Sequence, residues 1–406
     1  MTQPSDVSRT TDRRPIRVLH VIPTLDCGGA ETNLLRLVGR LESPSLRNEI
    51  LTMRPGGELR SQFDEIGIPV HQLRVMGSVP SPAATMALVR YVRMSAPDVV
   101  QGWLVHGNLA ALVGGKSTRP RAPVVWGIRQ GLQDFDAERQ TTRAAIRAAA
   151  WLSPLAHRIV YNSKMSASDH VRRGYAKHRT LIIPNGFDAD AFSPNDDART
   201  QLRAELGLSA DSLIVGMVAR FHQNKDHATF FDAAMRLREL SGLDLHFVLA
   251  GSGIDTANEV LRRWATRPEL QGRIHLLGRR ANLSSVYPAM DVLALTSRTE
   301  AFPNVLGEAM LCGVPCVSTA VGDAGEIVSR WGRVVPVGNA EAVASAIAEL
   351  LGAEPAARRQ FGMEGRNHIE HAYSIAAATA AYRELYEEAA LHTRRRTPDR
   401  YESCAA

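Results

Sequence analysis

Cysteine is scarce in this 406-residue chain: Cys27, Cys312, Cys316 and Cys404 are too few and too scattered for a disulfide framework. Cys312 and Cys316 bracket a Gly-Val-Pro step, and no second Cys/His pair follows at zinc spacing, so buried free thiols are expected and no metal site. No apolar run reaches the ~18 residues that a membrane-spanning helix needs. The opening MTQPSDVSRTTDRRP has no apolar stretch of signal-peptide type. Residues 1–15 therefore read as a disordered lead, and a cytoplasmic location is expected. Aromatic residues make up only 6%, but with 45% hydrophobic and 22% charged residues the composition is that of a globular protein, neither disordered nor membrane-spanning. A dinucleotide fingerprint is also missing. The first glycine turn reads LDCGGAE and not G-x-G-x-x-G, which removes the usual signal of a nicotinamide dehydrogenase.

What is present is length and an uneven charge. A chain of this size exceeds what one core sustains, so two domains of roughly 180 residues each are expected. Net charge is +6, but residues 1–185 hold 25 Lys+Arg against 14 Asp+Glu, and the remainder 23 against 28. The first half stands at +11 and the second at −5. A basic half is either a solvated arginine-rich surface or a face for an acidic partner such as anionic lipid headgroups or a phosphate-bearing substrate.

Hydrophobic periodicity alternates between strand and helix lengths. RVLHVIP is a buried-strand run, TLDCGG a glycine turn, and AETNLLRLVGRL has apolar residues at helical spacing. The unit recurs through NEILTM, VHQLRV, DVVQGWLV, PVVWGI, RIVYNS and TLIIP, with helical stretches at 83–94 and 137–152. After the Pro/Asn/Asp-rich PNGFDADAFSPNDD the pattern restarts with a helix over 198–205 and strands at SLIVGMVAR, DLHFVLAG, RIHLLG, DVLALTS, PCVSTA and GRVVPV. The expectation is α/β: two doubly wound parallel-sheet domains over 16–185 and 186–372, hinged near residues 184–188. Such sheets bind ligands beyond the carboxyl ends of their strands, so two facing sheets suggest one shared cleft. A last helix over 373–392 could end the second domain or cross back to the first. Residues 393–406 read as a polar tail whose Arg394-Arg395-Arg396 run is either solvated or a membrane contact.

One segment concentrates chemistry. In TEAFPNVLGEAM, Pro303 suits the start of a helix, so a helix is expected from Phe302 or Pro303, with Asn304 and Glu308 on one face and Glu300 in the preceding loop. Free amides and the positive end of the helix dipole at that start suit a phosphate. A carboxylate on each side could accept from sugar hydroxyls. Read alone, the two glutamates would serve equally as dipole and surface charges. The ARFHQNKD loop after the first strand of the second domain places Arg220 and Lys225 at a carboxyl end, where two cations can neutralise a departing diphosphate.

Together these residues resemble the retaining glycosyltransferases of family 4, which have the GT-B fold of two Rossmann-like domains facing across a cleft. EAFPNVLGE is similar to the family's E-x7-E signature and ARFHQNKDH to its Arg/Lys phosphate loop. VYNSKMSASDHVRRG, IIPNGFDADAFSP, VLAGSG and AVGDAGEIV resemble further landmarks, in family order from about Val18 to Leu351. The resemblance implies that Glu308 holds the ribose hydroxyls of a nucleoside-diphosphate sugar and Glu300 a hydroxyl of the transferred sugar. It implies that Arg220 and Lys225 grip the diphosphate and that the amides of Asn304, Val305 and Leu306 meet it. His106 in WLVHGN matches the active-site histidine. Gly28 and Gly29 match the glycine turn near the donor phosphates or the acceptor, and Gly251 of AGSG the approach of the nucleobase. Glu31 and Arg129 match acceptor-side or cleft positions. Where many relatives carry glycine this chain has Ala301 and Pro303, and Pro303 supplies no N–H.

The implied activity is metal-independent and cofactor-free transfer of a sugar, with retention, to a glycan or lipid-linked acceptor, in polysaccharide or cell-envelope glycan assembly. UDP is the commonest donor type among such relatives, with GDP open. The basic half and the family's habit of binding acceptors there suggest peripheral contact with anionic membrane at its inner face, and no nucleic-acid partner is expected. Two rival readings stay open: a nucleotide-sugar epimerase on the same architecture, and a non-catalytic sugar-nucleotide-binding protein.

Overall fold

The computed structural model describes residues 14–73, 81–133, 135, 138–240 and 242–394. Most of the expected lead, the tail from residue 395 and Cys404 lie outside the described residues. Two parallel sheets organise the chain. The first has seven strands, β1 (Ile16–Ile22), β2 (Leu46–Thr52), β3 (Val70–Gln72), β4 (Val99–Trp103), β5 (Val124–Ile128), β6 (Arg158–Tyr161) and β7 (Thr180–Ile182). Their order is β3-β2-β1-β4-β5-β6-β7. The second has β8 (Leu213–Val218), β9 (Leu245–Ala250), β10 (Ile274–Leu276), β11 (Val292–Leu295), β12 (Cys316–Thr319) and β13 (Gly332–Val335), in the order β10-β9-β8-β11-β12-β13. Both orders reverse direction after their first strand. The switch points fall between β1 and β4, paired from Val18↔Val99 to Val21↔Gly102, and between β8 and β11, paired at Val292↔Val215 and Leu293↔Gly216. A ligand crevice opens at such a point because the connections on either side leave toward opposite faces.

The strands are short apolar runs because both faces of each sheet are covered. All six residues of β9 are buried. The two faces of the second sheet carry separate cores, one with Phe187, Tyr287, Phe302 and Leu306, the other with Phe230, Phe231, Phe247 and Ile347. The compact units of the chain are residues 1–127 with 151–159 and 379–406, and residues 128–150 with 160–378. Segment 184–188 thus lies inside the second unit.

The long final helix, Ile375–Arg394, contributes its residues from Thr379 onward to the first unit. There the Tyr386 hydroxyl donates to Gln101 Oε1 at 3.2 Å, and Tyr382 stacks on Trp103. Beneath them His20 is fully buried, with Trp103 Nε1 donating to its Nδ1 at 3.1 Å and its Nε2 facing Asn48 Oδ1 at 3.1 Å. Desolvation lowers the pKa of His20 to about 4, so the ring is neutral. Of the cysteines, Cys312 and Cys316 are buried free thiols and Cys27 is exposed. Burial pushes the Cys312 thiol up to about 12 and raises that of Cys316 as well. Among the described residues no helix is long and apolar enough to cross a membrane.

Candidate functional site

In the second unit two loops leave the carboxyl ends of the neighbouring strands β8 and β11. The first, residues 219–226, starts with the Ala219 N–H donating to Ala250 O at 2.9 Å. Gly251, at φ +149°, lies so close that a Cβ there would clash with Ala219 O. Glycine is required at this crossing both for its dihedral and for the approach. Arg220 is exposed at the start of the loop, and Lys225 ends a 3₁₀ turn, Gln223–Lys225. Asp226 follows at φ +47°, its buried carboxylate accepting from Thr229 Oγ1 at 2.9 Å and from Arg298 Nε at 3.0 Å. Thr296 Oγ1 donates to Asp226 O at 3.0 Å. Side chains of the second loop thereby fix the shape of the first.

The second loop carries Glu300. Lys225 Nζ donates to Glu300 Oε1, and Ser297 Oγ donates to the same oxygen at 2.8 Å. The lysine and glutamate side chains are 23% and 15% exposed, so this is a half-shielded ion pair. The helix that follows is Asn304–Leu311, one or two residues later than the expected start at Phe302 or Pro303, because Pro303 at ψ 98° is extended and acts as the N-cap. The Leu306 N–H already donates to Pro303 O at 3.2 Å. That leaves Asn304 and Val305 as the first-turn amides without an intrahelical acceptor.

Two polar chains orient this helix. Arg129 Nη1 donates to Asn185 Oδ1 at 3.0 Å, and Asn185 Nδ2 donates to Asn304 Oδ1 at 2.8 Å. One turn further in, Glu308 is 5% exposed and accepts from the Tyr287 hydroxyl at 2.9 Å. Gly307 lets the helix approach the Phe187 ring, which a Cβ would strike. Arg129, read as an acceptor-side or cleft position, supports the N-terminus of the Glu308 helix in this unit. Tyr287, Ser297 and Asn185 are partners that sequence reasoning missed. Asn185 lay in the PNGFDADAFSP segment and Ser297 at the end of the DVLALTS run, but nothing local to Tyr287 or Ser297 announces the contact.

In the first unit the expected residues gather at the β1/β4 switch point. Gly28 is the N-cap of the Gly29–Leu41 helix, and Glu31 lies in its first turn, 8% exposed, where a Cβ on Gly28 would clash with its carboxylate. β4 passes without a loop into the Leu104–Ser117 helix, and the reversal is taken up by Leu104 at φ +61°. This tight elbow puts His106 in the first helical turn, with its side chain exposed. Desolvation lowers its pKa, and the nearby Arg54 charge lowers it further. Asn108 straps the elbow to β5, accepting from Gly127 N at 3.0 Å and donating to Gly127 O at 3.3 Å. A Cβ on Gly107 would lie 2.6 Å from Val21 O, so the helix start packs against the end of β1.

A family model described as Glycosyltransferase Family 4 matches residues 27–191, and one described as Glycosyl transferases group 1 matches residues 212–353. EpsF of Bacillus subtilis (strain 168), which carries the name of a glycosyltransferase, is 28% identical over 318 residues, covering 74% of this chain and 78% of that protein. A D-inositol 3-phosphate glycosyltransferase of Mycobacteroides abscessus is 34% identical over 231 residues, covering 56% of this chain and half of that protein. The crystal structure of Anabaena Alr3699/HepE in complex with UDP and glucose superposes with a TM-score of 0.80 at 21% identity, covering 92% of this chain and all of that one. At that identity the likeness speaks for the fold, which is GT-B.

Proposed function

Because the chain belongs to glycosyltransferase family 4, we propose that it moves a sugar from a nucleoside diphosphate, UDP foremost, to a hydroxyl of a glycan or lipid-linked acceptor with retention at the anomeric carbon. The observation that carries the reading is the constellation at the β8/β11 switch point. A buried carboxylate, Glu308, an ion-paired carboxylate, Glu300, two cations, Arg220 and Lys225, and the N-terminus of one helix converge on two loops that side-chain bonds hold together. A sugar nucleotide needs those four kinds of group: acceptors for ribose hydroxyls, an acceptor for a sugar hydroxyl, cations for the diphosphate, and free amides. HepE, whose crystals hold UDP and glucose, supports the uridine choice.

In this mechanism Glu308 binds the ribose hydroxyls and Gly251 leaves room for the nucleobase. Glu300 binds a hydroxyl of the transferred sugar, oriented by Lys225 and Ser297. The bond from the anomeric carbon to the diphosphate oxygen breaks while the acceptor oxygen bonds the same face. The acceptor proton passes to the leaving diphosphate. Arg220, Lys225 and the amides of Asn304 and Val305 stabilise its charge, with Leu306 shaping the same turn. His106, whose protonation desolvation and the Arg54 charge disfavour, takes the role of the family's active-site histidine, and Gly28, Gly29 and Glu31 that of its glycine turn. No metal or other cofactor is assigned a step. The +11 of residues 1–185 supports peripheral contact with anionic membrane and an acceptor presented there.

The test is product stereochemistry. Incubation with UDP-glucose, UDP-galactose, UDP-N-acetylglucosamine and GDP-mannose against membrane extract as acceptor, followed by proton NMR of the isolated glycoside, is expected to give the anomer of the donor. Inverted product would overturn the mechanism. Release of an altered free sugar nucleotide without acceptor would make the protein an epimerase, and binding without turnover a non-catalytic module. Binding to anionic vesicles that salt abolishes is the expected sign of the membrane contact.

A further inference from the structure

Resting on the glycosyl-transfer reading above, we infer that a cavity of about 800 Å³ in the second unit is an acceptor subsite for neutral, polyhydroxylated sugar residues. Its volume lies in the ~300–1,000 Å³ range of small-ligand sites. Its walls are the loop around Gln133, the Lys164–Arg172 helix and the turn that begins at Gly322.

The cavity adjoins the loop that carries Glu300. Gly322, at φ +49°, lies against it so tightly that a Cβ would sit 2.7 Å from Glu300 O. Gln133 Oε1 accepts from Thr299 Oγ1 at 2.7 Å. The Asp323 N–H donates to Ala301 O at 3.0 Å. A molecule in the cavity is therefore one wall away from the loop of the residue proposed to hold the transferred sugar, with Gly322, Asp323 and Gln133 between them.

Its walls are built rather than incidental. The buried Asp323 carboxylate crosses to the start of the Lys164–Arg172 helix and accepts from Ser163 Oγ at 2.8 Å, Lys164 N at 2.7 Å and Met165 N at 3.0 Å. Ser166 Oγ donates to Gln130 O at 2.7 Å, fixing the same helix to the Gln133 loop. One carboxylate and one hydroxyl thus hold three walls in register.

Charge selects the ligand class. The lining has three cations and three carboxylates. Lys164 pairs with Glu326 at 2.9 Å, Arg172 pairs with Asp169, Asp323 satisfies the helix start, and the Arg173 guanidinium stacks on the Phe135 ring at 4.0 Å. Arg143 and Arg147 also approach that ring, at 5.5 and 5.8 Å, without lining the cavity. Paired charges cancel the field that would draw an anion but leave many donors and acceptors. Met165 and Leu132 add apolar surface for a pyranose face. That mixture suits neutral sugars.

The experiment uses the full chain, with maltotetraose, cellotetraose and chitotetraose as neutral probes and tetragalacturonate as the anionic one, read by saturation-transfer NMR. Ser168 lies exposed on the lining helix, so Ser168→Trp fills the cavity without touching the core. Binding of at least one neutral probe, weakened about tenfold or more in Ser168→Trp while UDP affinity is unchanged, is expected. Should that variant misfold, Met165→Ala, which removes apolar lining, is expected to weaken the same probe. Absence of all neutral binding, binding that neither variant weakens, or tighter, salt-sensitive binding of tetragalacturonate would each overturn the inference. Failure of UDP to bind the wild type would sink the donor reading and is scored separately from the sugar signal.

Discussion

Glu308→Ala offers the sharpest perturbation of the proposed donor site. The carboxylate is 5% exposed, one helical turn from the amides of Asn304 and Val305, and held by the Tyr287 hydroxyl at 2.9 Å. A hydrogen bond to a charged acceptor contributes about 1.5–3 kcal/mol. Two ribose hydroxyls on Glu308 then amount to about 3–6 kcal/mol, a loss of roughly 140- to 20,000-fold in nucleotide affinity. Glu308→Gln keeps shape and one acceptor and is expected to fall between. Tyr287→Phe removes one of the groups that orient the carboxylate and is expected to cost roughly tenfold. Calorimetric titration with UDP, GDP and ADP reads all three variants, with thermal melts to verify folding. The alanine variant also deprives the Tyr287 hydroxyl of an acceptor, so a drop in stability of about 1–3 kcal/mol accompanies it. A folded Glu308→Ala protein that binds UDP as the wild type does would refute the assignment of this helix to the donor.

Four further outcomes are expected. In the Arg54→Ala variant the acid limb of kcat/KM is expected to move to higher pH, because the Arg54 charge disfavours protonation of His106; an unmoved limb would remove His106 from the pH profile. His20, His170 and His227 are buried with pKa values lowered to about 4, so the unfolded chain binds more protons below pH 6.5. Their stabilising contribution is complete above pH 6.5 and is lost as pH falls toward 4, by about 2 kcal/mol per histidine between pH 7 and 5; denaturant melts at the two pH values measure it. In a Cys404→Ser background a maleimide at pH 7.5 is expected to label Cys27 quickly and Cys312 and Cys316 only after unfolding, and prompt labelling of three thiols would contradict their burial. Asp323→Ala removes three hydrogen bonds at one helix start and is expected to destabilise by about 2 kcal/mol or more, with Asp323→Asn intermediate, as read by chemical denaturation.

Much of this protein was legible before its structure. The strands are continuous apolar runs because a parallel sheet covered on both faces makes them so, and the run from SLIVGMV to PCVSTA fixed the second sheet almost strand for strand. Motif spacing put Arg220, Lys225, Glu300 and Glu308 after the carboxyl ends of their strands, where α/β topology collects ligands. Pro303 was the instructive miss. Its ring suits a first helical position, yet its ψ of 98° leaves it as the cap, since its dihedral follows from the loop that Asp323 and Gly322 press against at Ala301.

The sequence by itself determined the alternation of elements, the two sheets and the residue types of the proposed donor site, because local periodicity and turn chemistry act over a few residues. Tertiary structure alone decided the pairings: Tyr287 on Glu308, 21 residues apart; Lys225 on Glu300, 75 apart; Asn185 on Asn304, 119 apart; and Asp323 on the helix start at Ser163, 160 apart. No local pattern encodes these. Each is a buried or half-buried polar group that must find a partner once the sheets exclude water, and which partner stands within 3 Å is set by strand order and packing.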